Sequence, residues 1–347
     1  MLVEEAERVL GSAGCSSTPK AGNVLAAPGP VEDRNTWVKD GTYMKAALDP
    51  FIRKTYGADP VTCRVIPGPI TDHGEHVRYE LRGWQGELKW SAALQGIAWT
   101  RHGVKDLLRR LEALRHGIEG LPDVPLLPRP IAYLRPILLL VWDVPTGVRF
   151  SSILGTGDHL EAAAKVARSL AALHRAPIEL DCVYSLDQEL VILKRKVERL
   201  EVDRPDLLAR ALGLLEGVAT LMRKIPPRVA PIVRTVHPHN VLLGERVALG
   251  KVEEVVLSHP LIDAGDFLAR LTILGIKHGN MQRATEAGNR FRRVYSESGA
   301  APEEAITVFE AGALLRLASV QAKHTADALI ADQLLERAAA RLTSKDG

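Results

Sequence analysis

Cysteine is scarce in this chain: three residues in 347, at positions 15, 63 and 182. The number is odd, the spacings are wide, and no Cys-x-x-Cys pair occurs. Neither a disulfide framework nor a cysteine-based zinc centre is therefore expected. Long hydrophobic runs are also missing. The longest, Ile137 to Trp142, falls far short of the ~20 residues that span a bilayer. Neither sign of charge dominates: 45 Lys and Arg stand against 42 Asp and Glu, a net +3 spread along the chain. That balance argues against nucleic acid as the main partner. The stretch MLVEEAERVL at the amino terminus is acidic and amphipathic, unlike a secretory signal. The expected location is the cytoplasm, without a membrane partner.

What is present is an ordinary globular composition, 46% hydrophobic and 25% charged. The length suffices for one large domain or two smaller ones, each with its own core. Residues 1–35 read as a flexible arm. A short helix, Val3 to Leu10, leads into GSAGCSSTPKAGNVLAAPGP, which has too little apolar surface to order itself. Tyr43 to Tyr56 reads as a helix, with Met44, Leu48, Phe51 and Ile52 at helical spacing. From Val61 to Gln95 the period changes to two. VTCRVI, EHVRYELRG and ELKWSAALQ read as strands separated by Gly and Pro turns. A helix with Val104, Leu107, Leu108, Leu111 and Leu114 on one face follows, then the strand-like PRPIAYL and ILLLVWDV.

The remainder is mostly helical. Amphipathic segments cover residues 160–175, 187–202 and 205–224, the last with Pro205 at its first turn. A β-like interruption spans 229–257. Helices are expected again at 261–278, 280–298, 302–323 and 325–343. A β-rich front and a helical back make an α+β, two-lobe pattern. The expected division is an arm at 1–35, an N-terminal lobe of antiparallel sheet and helix at 36–144, and a helical C-terminal lobe at 145–347.

The interruption carries the most informative residues. His237-Pro238-His239-Asn240-Val241-Leu242-Leu243 and Ser258-His259-Pro260-Leu261-Ile262-Asp263 resemble the catalytic region of the aminoglycoside phosphotransferase and choline kinase family. Two further segments match in order and spacing. Pro128-Arg129-Pro130 through Gly147 is similar to the family's last N-lobe strands and hinge. Leu170 to His174 is similar to its Leu-His helix end. The resemblance covers roughly residues 60 to 340, with the catalytic-loop-like segment at 229–266. It implies a two-lobed protein-kinase-like fold.

It also implies a chemistry. Phosphoryl transfer is mostly positioning and charge neutralisation. The family supplies a catalytic Asp in a His-Gly-Asp triplet, a loop Asn and a metal-binding Asp that hold magnesium, and an N-lobe Lys for the phosphates. Carried over residue by residue, the loop Asn is Asn240. The triplet reads Val233-Arg234-Thr235, so Thr235 stands at the catalytic-Asp position. A threonine carries no charge and accepts no proton at neutral pH. No Asp or Glu lies between Lys224 and Asn240, so a small register shift does not restore one. Lys251 falls at the metal-Asp position, where its charge would repel a cation. Glu253 is the oxygen ligand that a shifted register would bring to magnesium. The plainer reading of Glu253 and Glu254 is a solvated acidic turn. Gln95 falls at the N-lobe lysine position. Lys89 is the alternative, with Glu112 or Asp106 as its helix acid. Asp143 and Val144 are the hinge residues beside a nucleotide.

Other residues read as architecture. Asp263 opens a helix and either caps it or binds backbone amides of the loop. By the resemblance His237 packs and hydrogen-bonds within the loop. His237 and His239 form a His-x-His pair, but two ligands are not a metal site. His174 reads as a helix cap or core residue. The leading expectation is a pseudokinase-like protein that binds a nucleotide, a metabolite or a protein partner, with the ligand in the interlobe cleft. The resemblance makes ATP and Mg the cofactors in question. One alternative is an active ATP-dependent phosphotransferase acting on a small-molecule hydroxyl with displaced groups, drawn from Asp263, Glu253 and Asn240. A second is a structural or interaction protein that uses the Ala- and Leu-rich face of 311–330.

Overall fold

The computed structural model describes residues 34–343, apart from 71–73, 100–103, 144, 235, 253 and 324–327. The expected arm and its helix at Val3 to Leu10 lie outside the described residues. The chain forms two compact units. One holds residues up to Arg109 together with Pro128–Val144; the other holds Arg110–Leu127 and everything from Pro145 onward.

The first unit begins with a helical turn, Arg34–Trp37, and helix α1, Gly41–Tyr56. The Asp40 carboxylate caps α1 by accepting the amides of Thr42 and Tyr43 at 2.8 and 2.9 Å. Gly57 ends it at φ 62°, a left-handed conformation that glycine adopts without a steric cost. Met44, Leu48 and Ile52, spaced four apart, point into the core. Five antiparallel strands follow: β1 Asp59–Ile70, β2 Gly74–Gln85, β3 Leu88–Trp99, β4 Pro130–Leu134 and β5 Leu139–Asp143. Their order is β1-β2-β3-β5-β4. Val77, Tyr79 and Leu81 alternate inward along β2, as one buried face requires. They meet Leu94 and Val141 and the apolar face of α1 in one core. The buried Tyr79 hydroxyl donates to the Val38 carbonyl at 3.0 Å, so its polar end is satisfied. Helix α2, Val104–Gly117, crosses the boundary between the units in sequence.

The second unit holds α3 Phe150–Thr156, α4 His159–Leu173, α5 Leu186–Glu198, α6 Pro205–Lys224, α7 Leu261–Lys277, α8 Met281–Glu297, α9 Glu303–Gln321 and α10 Ala328–Thr343. Helix α5 starts with a full capping box between Ser185 and Gln188. The helix expected over 187–202 breaks at Arg199, and a separate turn, Leu200–Asp203, leads to Pro205. Short strands β6 Val148–Arg149, β8 Val241–Leu243 and β9 Val247–Leu249 form one small sheet; β7 Ala230–Ile232 and β10 Val256–Ser258 form another. Helix α7 is buried on nearly every side. It lies so close to α9 that a Cβ at Gly265 would meet the Phe309 carbonyl carbon and oxygen at 2.6 Å. Among the described residues no helix is long and apolar enough to cross a membrane.

Candidate functional site

The segment between β7 and α7 collects the polar residues of the second unit. Asp263, in the first turn of α7, is fully buried. Its Oδ2 accepts the Val233 amide at 2.9 Å and its Oδ1 accepts the Arg234 amide at 2.8 Å. His174, the C-cap of α4, lies 3.5 Å from Asp263 through Nε2 and 2.6 Å from the Tyr295 hydroxyl through Nδ1. One tautomer satisfies both contacts: Nε2–H donates to the carboxylate and Nδ1 accepts the hydroxyl proton. Burial and the neighbouring Asp263 carboxylate hold the Tyr295 phenol well above its usual pKa, so it stays a donor. Three helices and the loop are thus joined through one carboxylate.

Arg234 follows directly. Its φ of 45° is left-handed, a region that costs an L-residue other than glycine roughly 1–2 kcal/mol. Its side chain is 14% exposed. The guanidinium reaches Glu189 Oε2 at 3.1 Å and Glu254 Oε1 at 3.3 Å, with its carbon 4.0 Å from the centre of the Tyr184 ring. The Tyr184 hydroxyl also donates to Glu189, at 2.9 Å. Burial works against the Arg234 charge, but Glu254 and Glu189 outweigh it and its pKa rises. The expectation of a solvated acidic turn is corrected for Glu254: it is one of two carboxylates neutralising Arg234.

Asn240 is buried at the end of the loop. Its Nδ2 donates to the Lys251 carbonyl at 2.7 Å, and its own carbonyl accepts the Gly250 amide at 2.8 Å. This side chain therefore staples the loop to the chain after β9. Lys251 is half-buried. His237 closes the loop turn by accepting the amides of Asn240 and Val241 on its carbonyl. Desolvation of its ring, reinforced by Arg270, pushes its pKa down to about 3. His239 is exposed, its ring centre 6.3 Å from that of His237. Asp266, one turn beyond Asp263, is buried and bonded to Arg270 at 3.1 Å and to Arg316 of α9. Despite its burial, those two cations hold its pKa below the usual carboxylate range.

Thr235, Glu253 and Val144 lie outside the described residues. In the first unit, half-buried Gln95 on β3 pairs with Arg78 of β2 and Trp142 of β5. Lys89 is exposed, opposite Trp84. Asp143 ends β5, bonded to Arg129 at 3.2 Å. Asp106 pairs with Arg109 on its own helix at 3.4 Å. Sequence reasoning missed the Arg234 cluster and the partners of Asp266. The one available signal was an arginine at the place where the resemblance has a glycine.

A comparison of the sequence with family models and with curated proteins finds no match. The fold does match solved structures. A choline/ethanolamine kinase family protein from Mesorhizobium loti is 14% identical, with a TM-score of 0.59 over 88% of this chain and 95% of that one. A thermostable mutant of the aminoglycoside phosphotransferase APH(4)-Ia, in apo form, is 13% identical, with a TM-score of 0.57 over 86% of this chain and 99% of that one. LicA in complex with AMP is 14% identical, with a TM-score of 0.52 over 88% and 99%. The chain therefore has the protein-kinase-like fold of the aminoglycoside phosphotransferases and choline/ethanolamine kinases.

That resemblance brings magnesium into question. Magnesium in a nucleotide site is usually held by one or two carboxylates together with waters and substrate phosphates. Among the described residues no group of three His, Cys, Asp or Glu is placed to hold a metal. The bond from Asn240 Nδ2 to the Lys251 carbonyl fixes the Asn240 amide and leaves Oδ1 as its one atom of the kind that ligates magnesium. Both oxygens of Asp263 are engaged by loop amides.

Proposed function

We propose that this chain is a kinase-fold binding protein. It takes a nucleotide, another small molecule or a protein partner, and does not perform ordinary magnesium-dependent phosphoryl transfer. The observation that carries this reading is Arg234. In sequence it replaces the glycine of the family triplet, beside Thr235 at the catalytic-Asp position. In space its guanidinium is held by Glu189 and Glu254 over Tyr184. Transfer chemistry needs a carboxylate aimed at the acceptor and a metal against the phosphates. This loop offers a neutralised arginine and a lysine instead. The AMP complex of LicA supports a nucleotide as one ligand to try first.

Asp263 is a poor displaced base, because each of its oxygens already accepts a backbone amide. Thermal shift with ATP, with and without magnesium, tests the proposal alongside ADP release. The expected outcome is that any stabilisation by ATP is independent of magnesium. No ADP should form with aminoglycosides, choline-like alcohols or sugars. A magnesium-dependent shift together with hydroxyl-dependent ADP release would sink the reading.

A further inference from the structure

Cations gather on one face of the second unit, around the loop that ends at Asn240. Strand β6 runs antiparallel to β8 with Arg149 opposite Leu242, and the Ser151 amide donates to the Pro238 carbonyl at 3.0 Å. These two ties bring the exposed Arg149 near the exposed His239. The end of α7 reaches the same place. Its C-cap residue, His278, is exposed. The helix that follows, α8, is held to α3 by Arg283, whose Nε donates to the Leu154 carbonyl at 2.6 Å. Arg270, about two turns before His278 on α7, keeps its side chain 35% exposed.

These groups act on one another. Partial burial, and then the charges of Arg149, His278 and Arg270, lower the pKa of His239. His237 feels Arg270, His239 and Lys251 in addition to its own burial. Asp266 opposes them, but its side chain is only 3% exposed and it is bonded to both Arg270 and Arg316. Two cations thus share one inward carboxylate. Among the described residues the side chains of Arg149 and His278 have no hydrogen bond or ion pair, and His239 has only its ring contact with His237. Like charges gathered this way work against the compact state. The same arrangement is what anion recognition uses.

We propose that this face of the second unit binds the phosphate group of a small molecule, held directly by Arg149, His239, His278 and Arg270. Arg149 and Arg270 supply fixed charge. The two exposed imidazoles offer N–H donors when neutral and gain a proton more readily beside a bound anion. The proposal rests on the binding-protein reading above and names the part of the ligand that the loop face recognises.

Isothermal titration of the full chain with sodium pyrophosphate, in EDTA, tests this. Pyrophosphate should bind without a divalent cation. AMP should bind at least about tenfold tighter than adenosine. AMP against glucose 6-phosphate shows which body carries the phosphate, and tighter binding of either supports the site. Arg149→Glu should weaken pyrophosphate by at least about tenfold. Lys194→Glu, the same charge change at an exposed position on α5, should leave it within about twofold. If Arg149→Glu fails to fold, His239→Glu decides in its place. The proposal is overturned if pyrophosphate does not bind at millimolar concentration, if adenosine binds as tightly as AMP, or if Lys194→Glu costs as much as Arg149→Glu. Magnesium-independent stabilisation by ATP without pyrophosphate binding overturns this site and leaves the reading above standing. Hydroxyl-dependent ADP release with magnesium overturns that reading, and loss of pyrophosphate in Arg149→Glu then still supports the anion site.

Discussion

The Arg234 guanidinium lies 4.0 Å over the Tyr184 ring, on a residue whose φ is 45°. The backbone there favours glycine, so the arginine is kept against a local cost of roughly 1–2 kcal/mol. Its two carboxylate partners offset that cost. Glu189 is the more dependent of them, with a side chain only 9% exposed against 34% for Glu254.

Arg234→Gly removes the strain but leaves Glu189 buried without its ion pair to Arg234, bonded still to the Tyr184 hydroxyl. Breaking a buried pair costs roughly 3–5 kcal/mol. The net expectation is a loss of about 2–3 kcal/mol in urea denaturation. Adding Glu189→Gln should recover at least half, because a neutral amide no longer needs a cation. If Arg234→Gly is as stable as the parent, the cluster does not hold the loop.

Asp263 joins α7 to the loop through two amides, and His174 leans on the same carboxylate. Asp263→Ala strands two donors at once, each worth about 1–3 kcal/mol when buried. The variant should lose several kcal/mol, or fail to fold at physiological temperature. Asp263→Asn is more informative, since its amide retains one acceptor oxygen. Hydrogen exchange at the Val233 and Arg234 amides should rise in Asp263→Asn well before global unfolding. Unchanged protection there would mean that the carboxylate is not the tie.

Much of this arrangement was legible in the sequence, because periodicity reports burial. The helical spacing of Met44, Leu48 and Ile52 gave the helix, and the period of two across EHVRYELRG gave the strand that holds Val77, Tyr79 and Leu81. The order of His237-Pro238-His239-Asn240 and Asp263 gave the fold. The ion pairs were not legible. Glu189 and Arg234 lie 45 positions apart, and no local pattern marks a pairing across such a distance. Asp266 and Arg316 are 50 apart and present the same difficulty. Glu254 looked like a solvated acid because it stands in an acidic pair with Glu253. Its partner comes from the other end of the loop.

Two histidines predict a pH dependence with a definite sign. Burial lowers the pKa of His237 to about 3 and of His259 to about 4. The fold therefore prefers the neutral rings. Their contribution is complete above the unfolded value near 6.5 and is lost as pH falls toward the folded values. In that window each fully shifted histidine tilts stability by up to about 1.4 kcal/mol per pH unit. Chemical denaturation between about pH 7 and 5 avoids most carboxylate titration. The double variant His237→Gln, His259→Gln should show a flatter profile across that range. An equally steep profile would assign the acid sensitivity to other groups.

The sharpest test of the loop is to reverse its substitutions. Thr235→Asp places a carboxylate at the position that the family uses for the acceptor hydroxyl. Lys251→Asp removes the cation from the position where the resemblance has the metal-binding Asp and supplies an oxygen ligand. Arg234→Gly removes the guanidinium and returns the residue that suits the left-handed backbone. Each change alone leaves at least one obstacle. Thr235→Asp alone leaves a lysine at the metal position, and Lys251→Asp alone leaves the triplet without its acid. The triple variant should therefore gain a magnesium-dependent stabilisation by ATP that the parent lacks, while Lys251→Asp alone gains a smaller part of it. A fold that tolerates the changes but shows no magnesium dependence would mean that positions beyond these three, Gln95 first among them, also block the metal–nucleotide complex. A parent that already shows the full dependence would overturn the reading of Lys251 altogether.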